Sequence, residues 1–188
     1  MSVGMVMLAA CKSDGKGAHA SGRGAGLDPA SLPASASAAA YAAALGQAFD
    51  IGPGLVLLLD PTLLPSAGSG NATRQLSPNV ARRLRSTGVT QGTCEPQAGR
   101  AGAAPTCAAR MAGYVVRVSD IFRLARDTVQ LYVTAERYRP ARDSTHFASP
   151  LRFEQRYSLA RHGGSWVVVT QERLVHVAAA ESAAGTRP

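Results

Sequence analysis

Four stretches in the C-terminal half alternate apolar and polar residues with a period of two, and they constrain this chain more than any other feature. Over residues 114–124, Tyr114, Val116, Val118, Phe122 and Leu124 share one face; over 129–137, Val129, Leu131, Val133 and Ala135 do the same. That period marks strands with one buried face. A tight turn at Arg126-Asp127 joins the two stretches and sets Phe122 opposite Leu131 and Val118 opposite Ala135. The same register puts Arg117 opposite Glu136, a favourable cross-strand pair. A second hairpin runs over 151–159 and returns over 166–177, turning at Gly163-Gly164. It pairs Phe153 with Leu174, Leu159 with Val168 and Glu154 with Arg173. Both hairpins pair apolar with apolar and acid with base in one register each, which predicts an antiparallel meander.

The first half reads as helices and one buried strand. Residues 37–49 are Ala-rich, with Tyr41, Leu45 and Phe49 at four-residue spacing, and predict an amphipathic helix ending near Gly52-Pro53-Gly54. Residues 55–59 form a continuous apolar run, a buried strand stopped by Asp60-Pro61. A loop follows over 66–73; its Asn71-Ala72-Thr73 is a formal glycosylation sequon that carries no weight here. Ser77-Pro78 opens a second short helix and Gly88 stops it. Val80 and Leu84 face inward there, and Arg82, Arg83 and Arg85 make a solvated basic face. Helices first and strands after predict an α+β domain with short N-terminal helices on a curved antiparallel sheet. At 188 residues the chain suits one such domain with tails, and no run of ~20 apolar residues is present to span a bilayer.

At the other end, Leu8-Ala9-Ala10-Cys11 resembles the bacterial lipobox, an apolar residue and two small ones before a Cys. The resemblance implies that the Cys11 thiol carries diacylglycerol and that a peptidase cuts just before it. On that reading 1–11 is signal peptide and anchor, 12–37 a flexible Gly/Ala/Ser tether, 38–177 the domain and 178–188 a disordered tail. The apolar run before Cys11 is short and carries no Lys or Arg, so a start further upstream is expected. Lys12 is not the Asp that retains many such proteins in the inner membrane, so the resemblance points to the outer membrane of a cell that has one. With Cys11 used for lipid, Cys94 and Cys107 remain as a pair around a loop holding Pro96, Gly99, Gly102 and Pro105. A disulfide is favoured over free thiols, and over zinc for want of CxxC spacing and a neighbouring His.

The formal charge of +8 suggests an anionic partner. Yet lysine occurs only at Lys12 and Lys16, the arginines are scattered, and aromatics make up 5% of the chain. A nucleic-acid groove needs cations interleaved with stacking rings, so nucleic acid is not expected as a partner. No phosphate-binding Gly loop, HExxH or GxSxG is present, and His19, His146, His162 and His176 lie far apart; no cofactor or metal is called for.

The run from Tyr157 through Gly163-Gly164 to Trp166-Val167-Val168-Val169 resembles the last hairpin of the NTF2-like (cystatin-like) superfamily, where a Gly turn precedes Trp. The order of elements over 38–177 resembles it too. That fold implies a cone with a pocket between sheet and helices, used for hydrolysis, isomerisation or ligand binding. The predicted registers put Asp120, Arg137, Gln155, Tyr157, Thr170, Glu172 and His176 on the inner face. Of these, Asp120, Gln155, Tyr157, Glu172 and His176 form the candidate pocket, with Glu172 or His176 as base. The bland alternative has the same residues on strand ends that meet water. The sequence thus predicts a lipid-anchored envelope protein that binds another envelope protein or a small ligand without catalysis. The alternative is a small hydrolase or isomerase using an NTF2-like pocket.

Overall fold

In the computed structural model the described residues are 22–49, 56–67, 73–91, 94–95, 106–107, 113–140 and 152–177. Cys11 with the leader, the first part of the tether, Asn71-Ala72, His19, His146 and the tail 178–188 lie outside them.

The first helix, α1, spans Ala34–Ala48. It starts three residues before the predicted point because Ala34-Ser35-Ala36 propagates the Ala-rich helix back to Pro33, whose ring locks the entry. Its buried face holds Ala38, Tyr41, Ala44 and Leu45. Phe49, just past the end, pins the helix to the sheet through rings of Tyr114 at 5.2 Å and Phe153 at 5.6 Å.

The apolar run predicted as a strand forms β1 at Val56–Leu59. Helix α2 (Pro78–Arg85) buries Val80, Ala81 and Leu84 and leaves Arg82, Arg83 and Arg85 exposed, at the helix end where cations suit the dipole. Gly88, at φ 88°, turns the chain out of α2 directly into β2 (Val89–Gln91), a strand too short to show a period in the sequence. β1 pairs in parallel with β2 on one side and with β5 (Gly113–Val118) on the other. The sheet is therefore mixed, not wholly antiparallel as predicted: β1, α2 and β2 form a crossover unit, the connection that parallel neighbours require.

The remaining strands are β3 (Cys94–Glu95), β4 (Thr106–Cys107), β6 (Phe122–Ala125), β7 (Thr128–Pro140), β8 (Arg152–His162) and β9 (Ser165–Val177). Long β7 pairs with β5 and β6 on its early side and with β8 next in chain order; β9 closes the sheet beyond β8. Among the described residues the sheet is nine-stranded, with β3 and β4 attached at the end of β7. Cys94 and Cys107 are bridged by a disulfide across that short ladder, with Cα atoms 4.2 Å apart. The architecture is α+β: α1 and α2 cover one sheet face, where Leu57, Leu59, Val116, Val118, Leu131, Val133, Tyr157 and Leu159 meet the helices in one core. We call this the inner face.

Both predicted turns are present, but irregularities shift the registers. Gly163 and Gly164 take φ of 56° and 89°, the positive pair that a two-residue hairpin turn requires. In the first hairpin Ala125 faces Thr128, Phe122 faces Gln130 and Val118 faces Val133. One residue is absorbed between Arg123 and Ala125, and another where Ser119-Asp120-Ile121 breaks the strand. A one-residue slip moves a side chain to the opposite face. Phe122 accordingly leaves the inner core and packs with Tyr132 and Leu64 on the outer face, while Ile121 takes its place inside. Arg117 faces Thr134 in place of Glu136. In the second hairpin Leu159 faces Val168 as predicted, but bulges beyond it set Gln155 opposite Arg173 and Phe153 opposite His176.

The largest departure lies upstream. The tether predicted over 12–37 is folded onto the outer face from Gly22 onward. Asp28, Pro29 and Ala30 run antiparallel to Ile121–Arg123 through Arg123 N to Asp28 O (2.9 Å) and Ala30 N to Ile121 O (2.7 Å). Leu27 packs beside Phe122 and Tyr132. We call residues 22–30 the strap.

Candidate functional site

Of the residues predicted to line an inner pocket, two come together on the inner face, while Asp120 and Glu172 lie elsewhere. Gln155 and Tyr157 are buried on the inner face, where the Tyr157 hydroxyl donates to Gln155 Oε1. Burial raises the pKa of Tyr157, with Arg173 opposing, so its hydroxyl stays a donor. Arg137 faces Tyr114 across the ladder. The bulge at Val169 turns Thr170 and Glu172 to the outer face, both exposed. There Glu172 is ion-paired with Arg156, its cross-strand neighbour. His176 occupies the register position opposite Phe153, and its side chain lies outside the described residues.

Asp120 sits in the break between β5 and β6. Its carboxylate accepts from Arg74 Nη1 at 2.5 Å, with Ser66 Oγ 3.5 Å away. The loop is held from beneath: Tyr41 donates to the Ser119 carbonyl at 2.7 Å, and the Tyr132 amide donates to Ser119 Oγ at 2.9 Å. Burial raises the pKa of Tyr41, nearby Asp120 adds to the rise and Arg74 opposes it. Asp120 and Glu172 are thus each ion-paired with a different arginine, Asp120 in the break between β5 and β6 and Glu172 on β9. Among the described residues no group of three His, Cys, Asp or Glu side chains is placed to hold a metal ion.

The most elaborate polar site is on the outer face. Arg23 and Glu154 are 6% and 5% exposed and form a two-pronged pair, Nε to Oε1 and Nη2 to Oε2, each 2.6 Å. Arg23 Nη1 also reaches the Pro65 carbonyl at 3.3 Å. Next to it Gly24 takes φ 69° and lies flush on Phe122, whose ring would be 2.3 Å from an added Cβ. The Gly24 amide donates to the Tyr132 hydroxyl at 3.2 Å, which also accepts from Gln130 Nε2 at 2.8 Å. This buckle fastens the strap to the sheet. Nothing in the Gly-rich stretch around Arg23 signals it, and the register read from the sequence gives Glu154 another partner, Arg173.

A second feature gathers at one end of the sheet. The Arg161 amide donates to the Asp127 carbonyl at 2.9 Å, which ties the turn between β6 and β7 to the turn between β8 and β9. Residues 123–127 and 161–165 are all exposed there. They bring Arg123, Arg126, Arg161 and His162 together with Asp127. Leu124, Val167 and Val169, the exposed large apolar residues of the described chain, lie within a few positions of the same turns. The alternation pattern assigned Leu124 to the core; the bulge beside it turns that residue out. No family model, curated protein or solved structure matches this chain.

Proposed function

We propose that this chain is a lipid-anchored protein of the cell envelope, held in the outer membrane where the cell has one, whose α+β domain binds a partner and does not turn over a substrate. The observation that carries the address is the Cys94–Cys107 pair. It is set for a disulfide across β3 and β4, and such bonds persist in oxidising compartments. With those two cysteines used, Cys11 is the odd one, directly behind Leu8-Ala9-Ala10. Binding is favoured over catalysis because Asp120 and Glu172, the described carboxylates an enzyme of this kind would use, are held by Arg74 and Arg156. The NTF2-like cone keeps the support of its last hairpin, with the Gly163-Gly164 turn and Trp166 packed against the core. The parallel pairing of β1 with both neighbours lends that resemblance no further support, and we do not adopt the hydrolase or isomerase reading.

The test is lipid labelling in the producing cell. Radiolabelled fatty acid should enter the wild-type protein and not Cys11→Ser, and the wild type should fractionate with membranes. Equal labelling of both, or none in either, contradicts the anchor.

A further inference from the structure

We propose that the turn end of the sheet, carrying the β6–β7 and β8–β9 turns, is a docking surface for an anionic phospholipid bilayer. The inference rests on the lipid-anchor reading for its cellular setting, though its test does not depend on it.

Surfaces that dock on anionic membranes combine cations that meet the headgroups with exposed apolar side chains that enter the layer beneath. This end has both. Arg123, Arg126 and Arg161 are exposed, and no ion pair among the described residues involves them; Asp127 is the one carboxylate in either turn segment. Beside them Leu124 is 42% exposed, Val167 47% and Val169 50%. Of the three, Val167 continues a row on the outer face, while Arg123 and Arg161, in register with Val129 and Trp166, flank the same end of the sheet on the inner side. Ala125 faces Thr128, Thr128 faces Ala160, and Ala160 faces Val167, so a row across four strands presents small or apolar side chains on the outer face. The strap covers that face further up, at Tyr132 and Glu154. The hydrogen bond from the Arg161 amide to the Asp127 carbonyl joins the two turns at this end.

Chain length permits the geometry. The strap is fastened at Glu154, seven residues before Arg161 along β8, about 23 Å at ~3.3 Å per residue. The eleven steps from Cys11 to Gly22 span at most ~40 Å. A lipid on Cys11 and the turn end can therefore reach the same leaflet.

The experiment uses the full chain bearing Cys11→Ser, so that no lipid contributes. It is mixed with phosphatidylcholine vesicles with or without phosphatidylglycerol, and the vesicles are pelleted. Anionic vesicles should carry the protein into the pellet, and high salt should release it. Each arginine near the surface contributes about fivefold, so a variant with Arg123→Gln, Arg126→Gln and Arg161→Gln should bind on the order of a hundredfold more weakly. Arg82→Gln with Arg83→Gln, on α2, should leave binding unchanged. Equal binding to neutral vesicles places the affinity in the apolar leader and overturns the proposal. So does a triple variant that binds like its parent. Absence of vesicle binding together with concentration-dependent dimers broken by Val167→Lys would assign the surface to a second copy instead. Absence of fatty acid on Cys11 would sink the anchor and leave this result standing.

Discussion

Arg23 and Glu154 are the pair on which the strap depends, because both charges are removed from water and each satisfies the other in two hydrogen bonds. Removing one partner of such a pair is far more damaging than replacing both. Glu154→Leu should therefore lower stability by about 3 kcal/mol in urea unfolding. It should also speed tryptic cleavage after Arg23, since the unpaired guanidinium regains water by lifting the strap. Arg23→Met combined with Glu154→Leu should recover most of the loss in urea unfolding, which is its readout because the variant has no tryptic site at residue 23. A double variant no better than the single one would show that the pair does not hold the strap. Gly24 is the second fastening: a methyl group there meets both the Phe122 ring and a positive φ. Gly24→Ala should cost more than ~1 kcal/mol and loosen the same segment.

At the scale of elements, α1 is locked to the break between β5 and β6 by the hydrogen bond from Tyr41 to the Ser119 carbonyl. Tyr41→Phe should cost about 1–2 kcal/mol by leaving that carbonyl unpaired. Its effect also depends on pH. Burial raises the pKa of Tyr41, Tyr138 and Tyr157 above the ordinary tyrosine value of 10.0. Below that value the tyrosines are neutral in both folded and unfolded chains. Above it the unfolded chain loses these protons first, so stability falls as pH rises from about 10 toward the folded values. The slope of the urea midpoint against pH should be shallower in Tyr41→Phe; an unchanged slope would remove Tyr41 from the account. Reducing the Cys94–Cys107 disulfide, which closes a loop of sequence separation 13, should lower stability by about 3 kcal/mol, read as a drop in the urea midpoint with reductant.

Elements were legible in the sequence wherever a period ran long enough. The β7, β8 and β9 strands and both turns follow from it, as do the two helices. What the period does not carry is the residue that breaks it. Ser119-Asp120-Ile121 and the shift at Leu124 look in sequence like two more alternating positions, yet they send Phe122 outward and Ile121 inward. The bulge at Val169 does the same to Thr170 and Glu172, which dissolves the pocket drawn from an unbroken register. Three-residue β2 has no period at all. The strap hides in low-complexity sequence because two side chains and one glycine dock it, not an apolar stripe.

For the whole molecule, the sheet separates two kinds of chemistry. The inner face is an apolar core closed by α1 and α2. The outer face carries the strap and its buried ion pair, and the turn end of the sheet exposes arginines beside Leu124, Val167 and Val169. A chain arriving from a membrane anchor at Cys11 would enter the fold on that outer face, at Gly22. The central claim, a lipid on Cys11 and a closed Cys94–Cys107 bond in an oxidising compartment, meets its most direct test in the intact mass of protein purified from its native membrane fraction, measured with and without reductant. A mature chain that begins at Cys11, carries diacylglycerol and gains two hydrogen atoms on reduction is expected. An unlipidated chain with three free thiols would contradict both the anchor and the compartment at once.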